Sequence, residues 1–205
     1  VVPHGINKSF IEGTSLYKLN SEKKFKVLCN IAQPHMRKNI QGILEAWGRA
    51  FNKKDDVSLI LKIVIKKPTQ PFEVDFHKIF SSFKKKYVNH AEIIILSSYI
   101  DDIASLYRSC NAYFSMSNAE SFLLPALEAL STNKVVLVSA SGGQTDFCND
   151  KNSLLISGKI VQAQKNSMYW EYNSNAEMFQ PDINCAAEKL LYAFNNEQLL
   201  LENFA

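Results

Sequence analysis

Hydrophobic positions along the chain fall into short apolar runs that alternate with amphipathic stretches. The runs have the length and the β-branched content of buried strands. The stretches between them place apolar residues three or four positions apart, which is typical of helices that cover a sheet. We predict six strands, at residues 25–31, 57–65, 91–96, 112–116, 135–138 and 154–156.

Helices are predicted from the same spacing, and their ends from residues that suit helix termini. Asp101 or Asp102 can cap the third helix, and Pro125 suits the first turn of the fourth. A short helical turn is expected at 145–148. The remaining predicted helices cover 40–51, 76–87, 186–194 and 197–204.

This alternation of strands and helices predicts βαβ units with right-handed crossovers. The expected fold is a single Rossmann-like α/β domain, in which a parallel sheet of about six strands carries helices on both faces. Ligands of such sheets bind outside the carboxyl ends of the strands, near the switch in strand order. We therefore expect the site in the loops after the fourth and fifth strands.

Composition changes this picture little. Lys and Arg number 23 against 20 Asp and Glu, and a formal charge of +3 is too small to indicate nucleic acid as a partner. Lysines cluster at 53–54, 66–67 and 84–86, where solvated faces account for them and shallow contact with anionic lipid or an acidic polymer is the alternative. We expect no signal peptide, and no run reaches the ~18 apolar residues of a membrane span.

Cysteine and histidine positions give no indication of a metal site. The cysteines form no C-x-x-C pair and lie beside hydrophobic or small residues, so we expect buried, reduced thiols in a cytosolic protein. The histidines have no ligand spacing, and His35 is expected to be a solvated loop residue, with a contact to phosphate as the alternative. The aspartate pairs are adjacent rather than D-x-D, so no metal-bound diphosphate is predicted. The cysteines are Cys29, Cys110, Cys148 and Cys185.

The segment most indicative of chemistry is 118–130, NAESFLLPALEAL. Glu120 lies in the loop after the fourth strand, and Glu128 lies one turn into the next helix. The amides of residues 122–124 lie between them, where unpaired N–H groups and the helix dipole favour an anion. A nucleotide sugar fits this arrangement, because its phosphates could bind these amides while hydroxyl groups on either side donate to the two carboxylates. Spacing alone also allows two surface carboxylates that merely favour a helix N-terminus.

This segment resembles the signature of the family-4 glycosyltransferases, a retaining group with the GT-B fold, written E-x-F-G-L-P-x-L-E-A. Other segments resemble that family in the same order: VVPHGIN, then FKVLCNIAQPHMRKNIQGILEAW with its Arg37-Lys38-Asn39, then Met116-Ser117, then KVVLVSASGGQTDF. The likeness runs from Val1 to about Ile156. It indicates the C-terminal, donor-binding domain of such an enzyme.

The resemblance implies a role for each matching residue. Glu128 would accept hydrogen bonds from the ribose hydroxyls, and Glu120 would face the donor sugar near its anomeric carbon. Lys38 would neutralise the diphosphate and stabilise charge on the leaving group. Arg37 would share that task or be an exposed neighbour. The other implied donor contacts are Ser121, Phe122, Leu123 and Leu124 at the helix N-terminus, Ser98, Tyr99 and Ile100 at the nucleobase, and Gly142 and Gly143 at the sugar.

The implied function is transfer of a hexose from a UDP- or GDP-linked sugar, with retention, without a metal or other cofactor, catalysed by Glu120 and Lys38. The acceptor glycan, lipid or protein would bind an N-terminal domain, in the cytoplasm or at the cytoplasmic face of a membrane. Because the chain opens on valine rather than methionine, we expect an excised piece that binds donor but transfers nothing alone. Its expected parts are an interdomain entry (1–24), a Rossmann-like core (25–157), an irregular excursion (158–181) and C-terminal helices (182–205).

Several positions depart from the family pattern. Leu123 and Asn133 stand where glycine is usual, and Cys29 replaces another glycine before a phosphate loop that is two or three residues longer. The arginine that commonly precedes the phosphate lysine has no clear counterpart, although Asn30 or Gln33 falls near its place. These changes favour a rival of another class, a degenerate module of the same fold that serves as a scaffold. A nucleotide-sugar epimerase is a further alternative.

Overall fold

The computed structural model describes residues 4–163 and 176–204. Six strands form one parallel sheet in the order β3-β2-β1-β4-β5-β6, so the strand order reverses between β1 and β4. This doubly wound arrangement confirms the predicted Rossmann-like α/β domain. The strands are β1 (Phe25–Ala32), β2 (Val57–Ile63), β3 (Glu92–Leu96), β4 (Ala112–Ser115), β5 (Val135–Ser139) and β6 (Leu154–Ile156).

Helices cover both faces of this sheet. Asp75, Asp102 and Asp182 each cap a helix, because their carboxylates accept from a backbone N–H in its first turn. The last of these caps starts its helix three residues earlier than predicted. The helical turn expected at 145–148 is a 3-10 turn over Gly143–Asp146. The α-helices in the described residues are α1 (Lys8–Glu12), α2 (Ile40–Ala50), α3 (Phe76–Lys86), α4 (Ile103–Arg108), α5 (Leu124–Ser131), α6 (Ile183–Asn195) and α7 (Glu197–Phe204).

Each strand contributes to two cores because successive side chains point to opposite faces. On β1, Val27 and Cys29 pack with Trp47 of α2 in one core. Leu28, between them in sequence, packs with Tyr107 of α4 in the other. Burial on both faces explains why the strands have near-continuous apolar sequences rather than alternating ones.

The segment 158–181 is more regular than predicted. Its ends form an antiparallel pair, β7 (Gly158–Gln162) and β8 (Glu177–Pro181), while residues 164–175 lie outside the described part of the chain. The pair was missed because most of its side chains are exposed, so no apolar pattern marks it. The Phe179 N–H donates to the Asn118 carbonyl at 3.1 Å, which joins β8 to the loop after β4.

Three of the four cysteines are buried, as expected, but Cys185 is only partly buried. Burial raises the pKa of Cys110 and of Cys148 to about 12, so both thiols stay protonated near neutral pH. In the described residues, no helix has both the length and the apolar character needed to cross a membrane.

Candidate functional site

Three loops follow the strands that flank the reversal in strand order. We call them the β1 loop (33–39), the β4 loop (116–123) and the β5 loop (140–146). They leave the carboxyl ends of neighbouring parallel strands, which is where open sheets of this kind bind ligands. The expected site lies here.

Left-handed backbone conformations concentrate around these loops. Among the described residues, positive φ occurs at Ala32 (58°), Asn39 (51°), Leu123 (65°) and Gly142 (102°), and away from the loops at Asn133 (53°). Such a conformation costs a non-glycine residue roughly 1–2 kcal/mol. Strain of this kind persists where the surrounding structure requires it, often at functional sites. Leu123 and Asn133 therefore keep the backbone conformation for which the family pattern uses glycine.

The Glu120 carboxylate binds both cations of the β1 loop. Arg37 Nη1 lies 2.8 Å from Oε2, and Lys38 Nζ lies 2.5 Å from Oε1. The Glu120 side chain is only 8% exposed, and a carboxylate so buried needs opposite charges beside it. Burial lowers the pKa of Lys38, and the nearby Glu120 carboxylate opposes that lowering. A phosphate that binds Lys38 must therefore share it with Glu120 or displace that carboxylate.

Arg37 also joins the β1 loop to the β4 loop. Its guanidinium donates to the Ala119 carbonyl at 3.1 Å, and its own carbonyl accepts from the Asn118 N–H at 2.7 Å. Arg37 is therefore partly buried and bound to the β4 loop, and its share in phosphate binding stays a prediction.

Two glycines of the β5 loop support Glu120 from the other side. The Gly143 N–H donates to the Glu120 carbonyl at 2.9 Å. A Cβ atom added at Gly143 would lie 1.8 Å from the Ser121 carbonyl oxygen, so only glycine allows this approach. At Gly142 a Cβ atom would lie 2.9 Å from the Glu120 carbonyl oxygen. The ring of Phe122 completes the junction, with centroids 4.8 Å from His4 and 4.9 Å from Phe147.

The first turn of α5 has backbone donors that no side chain caps. Its N-cap residue is Leu123, which cannot cap, and Pro125 follows within the first turn. Leu124 between them is partly exposed. Uncapped N–H groups at a helix N-terminus favour an anion. The predicted amides thus begin two residues after Glu120, whose carboxylate binds the Arg37 and Lys38 cations.

Glu128 has a neutral partner instead of cations. The Tyr107 hydroxyl donates to Glu128 Oε2 at 2.6 Å and accepts from Asn30 Nδ2 at 3.0 Å. Burial raises the pKa of Glu128, and the hydrogen bond from Tyr107 opposes that rise. Sequence analysis missed Tyr107 because it counted only as an apolar position of a helix. The available indication was that a buried tyrosine hydroxyl needs a partner.

The three residues expected at the nucleobase lie apart from the others. Ser98 and Tyr99 are exposed after β3, the edge strand, and Ile100 packs on the core. Within the described residues, no hydrogen bond or ion pair joins them to Glu120 or Glu128. Their link to the site is α4, which starts at the end of the same loop and carries Tyr107.

The expectation of a solvated His35 is wrong. Its side chain is 3% exposed, and its ring stacks on Phe72 with centroids 5.0 Å apart. The β1 loop pairs with this segment, since the Met36 N–H donates to the Phe72 carbonyl at 2.8 Å. A partner 37 positions away was not apparent from the sequence. This pairing holds the loop that carries Arg37 and Lys38.

The segment that supports the β1 loop is itself fixed by Glu73. The Glu73 carboxylate accepts from Lys66 Nζ at 2.5 Å and from the Thr69 N–H at 2.8 Å. Its pKa is lowered to about 2, chiefly by the Lys66 hydrogen bond. Gln33 contacts His35 rather than the cations, at 3.2 Å. Asn30 donates to the Tyr107 hydroxyl, so the described hydrogen bonds of these two side chains do not reach Arg37 or Lys38.

The arrangement can bind an anion whose two ends carry hydroxyl groups. Two cations lie at the Glu120 carboxylate, and charge-assisted hydrogen bonds to phosphate are among the stronger ones. Glu120 and Glu128 can accept from hydroxyls on either side. Within residues 4–163 and 176–204, no cluster of three or more His, Cys, Asp and Glu side chains could hold a metal ion.

Comparisons with known proteins bear on the family and the fold. The family model described as glycosyl transferases group 1 matches residues 14–176. No curated protein matches the sequence. The C-terminal domain of LpcC, a glycosyl transferase group 1 family protein from Francisella tularensis, is similar with a TM-score of 0.66 and 19% identity, over 98% of this chain and 94% of that one.

Two longer solved structures are also similar. WaaG, a glycosyltransferase involved in lipopolysaccharide biosynthesis, gives a TM-score of 0.69 at 15% identity, over 98% of this chain and 48% of that one. HepE from Anabaena in complex with UDP-glucose gives 0.62 at 15% identity, over 90% and 43%. The chain therefore spans less than half the length of either protein. At these identities the likeness shows the fold.

Proposed function

The chain belongs to the glycosyl transferases group 1 family, and on that basis we propose that it binds a nucleotide-diphosphate sugar, the donor for retaining transfer of a hexose. The observation that carries the proposal is the buried cluster of Arg37, Lys38 and Glu120 at the reversal in strand order. The two cations exceed the single charge of Glu120, and a diphosphate would offset that excess. HepE, which shares the fold, binds UDP-glucose.

In this proposal the diphosphate lies on the cations and on the uncapped start of α5. Lys38 and Arg37 offset the charge that develops on the leaving diphosphate as the sugar–oxygen bond breaks. Glu120 lies beside them and accepts from the sugar hydroxyls near the anomeric carbon. Gly142 and Gly143, which pack closely on the backbone of Glu120 and Ser121, border the sugar in this proposal.

Glu128 receives the other end of the donor. Its carboxylate accepts from the ribose hydroxyls, and the base extends toward residues 98–100 after β3. UDP and GDP are the nucleotides proposed. The acceptor glycan, lipid or protein binds another part of the full protein, and the reaction takes place on the cytoplasmic side without a metal.

The rival hypothesis, a degenerate scaffold, is not favoured. Its main support was the loss of glycine at positions 123 and 133. Leu123 and Asn133 both keep positive φ, so the backbone conformation that glycine would supply is present. Cys29, in place of a third glycine, is fully buried in the core beneath the sheet.

Calorimetric titration of the chain with UDP, GDP, ADP and their glucose and mannose conjugates tests the proposal. We expect saturable binding of one nucleotide series, weakened about 10–100-fold in Lys38→Ala and in Glu128→Ala, since hydrogen bonds to charged groups contribute about 1.5–3 kcal/mol. Lys85→Ala and Glu188→Ala are matched controls at exposed helix positions and should bind as wild type. Binding that survives both site variants, or no binding of any nucleotide, would contradict the proposal.

A further inference from the structure

Tyr107 connects Glu128 on α5 to Asn30 on β1. Its hydroxyl donates to Glu128 Oε2 at 2.6 Å and accepts from Asn30 Nδ2 at 3.0 Å. An amide N–H can only donate, so Asn30 occupies the acceptor side of the hydroxyl and directs its proton at the carboxylate. The ring is 1% exposed, and burial raises the pKa of Tyr107 well above its usual range. The hydroxyl therefore remains a donor at any physiological pH.

Few other contacts hold Glu128 in place. Across the described residues, no cation pairs with it, and Tyr107 is the donor to its carboxylate. Oε1 has no protein partner there, so its lone pairs are free for a ligand. A flexible carboxylate would lose rotamer freedom on binding, and the existing hydrogen bond has already removed part of that freedom.

We propose that Tyr107, oriented by Asn30, is a positioning residue that holds the Glu128 carboxylate with Oε1 free for the ribose hydroxyls of a bound nucleotide. The inference rests on the proposed donor site and adds to it two residues that do not touch the ligand. It also explains Asn30, which falls near the place of the usual phosphate-binding arginine. In this chain Asn30 orients Tyr107, which holds the Glu128 carboxylate for the ribose, while Arg37 and Lys38 bind the phosphates.

Ribose hydroxyls provide a readout that a merely structural role would not change. UDP, GDP and their 2′,3′-dideoxy forms are titrated into wild type, Tyr107→Phe and Asn30→Ala. Wild type should prefer the hydroxylated nucleotide about 10-fold or more. Tyr107→Phe should weaken binding of the hydroxylated nucleotide about 3–10-fold and change the affinity for the dideoxy form by no more than about twofold. The ratio of the two affinities should therefore narrow. Asn30→Ala, which keeps the Tyr107 ring in place, should narrow this ratio of affinities about 2–3-fold.

Two controls separate this inference from the function on which it rests. Tyr113→Phe removes another buried hydroxyl of the same core and should leave the ratio unchanged. Glu128→Gln should narrow the ratio most. Suppose that Glu128→Gln narrows the ratio of affinities, while Tyr107→Phe and Asn30→Ala keep the wild-type ratio or weaken binding of both nucleotides equally. The positioning role is then overturned, and the donor site stands.

A wild-type chain that binds no nucleotide, or does not distinguish the two forms, would overturn the ribose contact and this inference together. If Tyr107→Phe fails to fold, Asn30→Ala applies the same test to the same hydrogen-bonded chain.

Discussion

Glu120 and Glu128 lie eight residues apart in one segment, and the structure surrounds them in opposite ways. Glu120 is nearly buried and binds two cations. Glu128 is half-buried and has a tyrosine hydroxyl as its partner. Burial raises the pKa of Glu128. The Glu120 carboxylate therefore lies in a site with excess positive charge, whereas the Glu128 carboxylate lies in a neutral site.

The difference shows what each half of the site still needs. Arg37 and Lys38 carry two positive charges against one carboxylate, so that half can accept a further anion. Among the described residues, Glu128 has no cation partner and its Oε1 has no donor, so its half can accept donors such as hydroxyls. A nucleotide sugar supplies both, with its phosphates at one end of the segment and its ribose at the other.

The largest expected effect comes from breaking the support of Glu120 alone. Gly143→Ala places a Cβ atom 1.8 Å from the Ser121 carbonyl oxygen, so the β4 and β5 loops must separate. We expect a loss of about 2–4 kcal/mol in the free energy of unfolding, measured with urea, as for other overpacked or strained sites. Gly5→Ala is the matched control, since no atom of residues 4–163 or 176–204 lies within 4 Å of its added Cβ atom. Equal stability of the two variants would contradict the described contact.

Replacing each glutamate by glutamine sharpens the comparison, because the two changes should alter stability in opposite directions. Glu120→Gln leaves two largely buried cations without their carboxylate and should lower the free energy of unfolding by about 1–3 kcal/mol. The pKa of Glu128 is raised on folding, so its contribution to stability is lost as pH rises through the folded pKa. Glu128→Gln should therefore raise the urea midpoint at pH 7. A fall in both variants would show that Glu128 is also held as an ion.

The smallest expected effect is that of pH. Acidification should weaken nucleotide binding about a few-fold, because it protonates Glu128. Only the carboxylate form accepts from both ribose hydroxyls, and burial raises its pKa above the ordinary value of about 4.3. Affinity should therefore begin to fall at a higher pH than an exposed glutamate would give. Titrations of UDP from pH 7 to pH 5, compared with Glu128→Gln, isolate this term from the phosphate's own titration. Identical pH profiles in both proteins would remove Glu128 from the contact.

Much of the fold could be predicted from the sequence, because strands buried on both faces are visible as apolar runs. The strand pair at 158–162 and 177–181 was missed because its side chains are mostly exposed. The segment around Glu120 and Glu128 was located by its resemblance to a family pattern. The partners of these residues were not predictable, since Arg37 and Tyr107 reach them from other elements of the chain. Burial of His35 and the fixed role of Arg37 both depend on such long-range contacts.

The central claim is that Glu120 shares its cations with a bound diphosphate, whereas Glu128 contributes a free acceptor. Titration of UDP and GDP into Glu120→Gln and Glu128→Gln, side by side with wild type, tests it most directly. The account predicts opposite shifts for the nucleotide that binds: a gain of about 3–10-fold in Glu120→Gln, where a competing negative charge is removed, and a loss of about 10-fold or more in Glu128→Gln. Shifts in the same direction, or no shift in either variant, would contradict it.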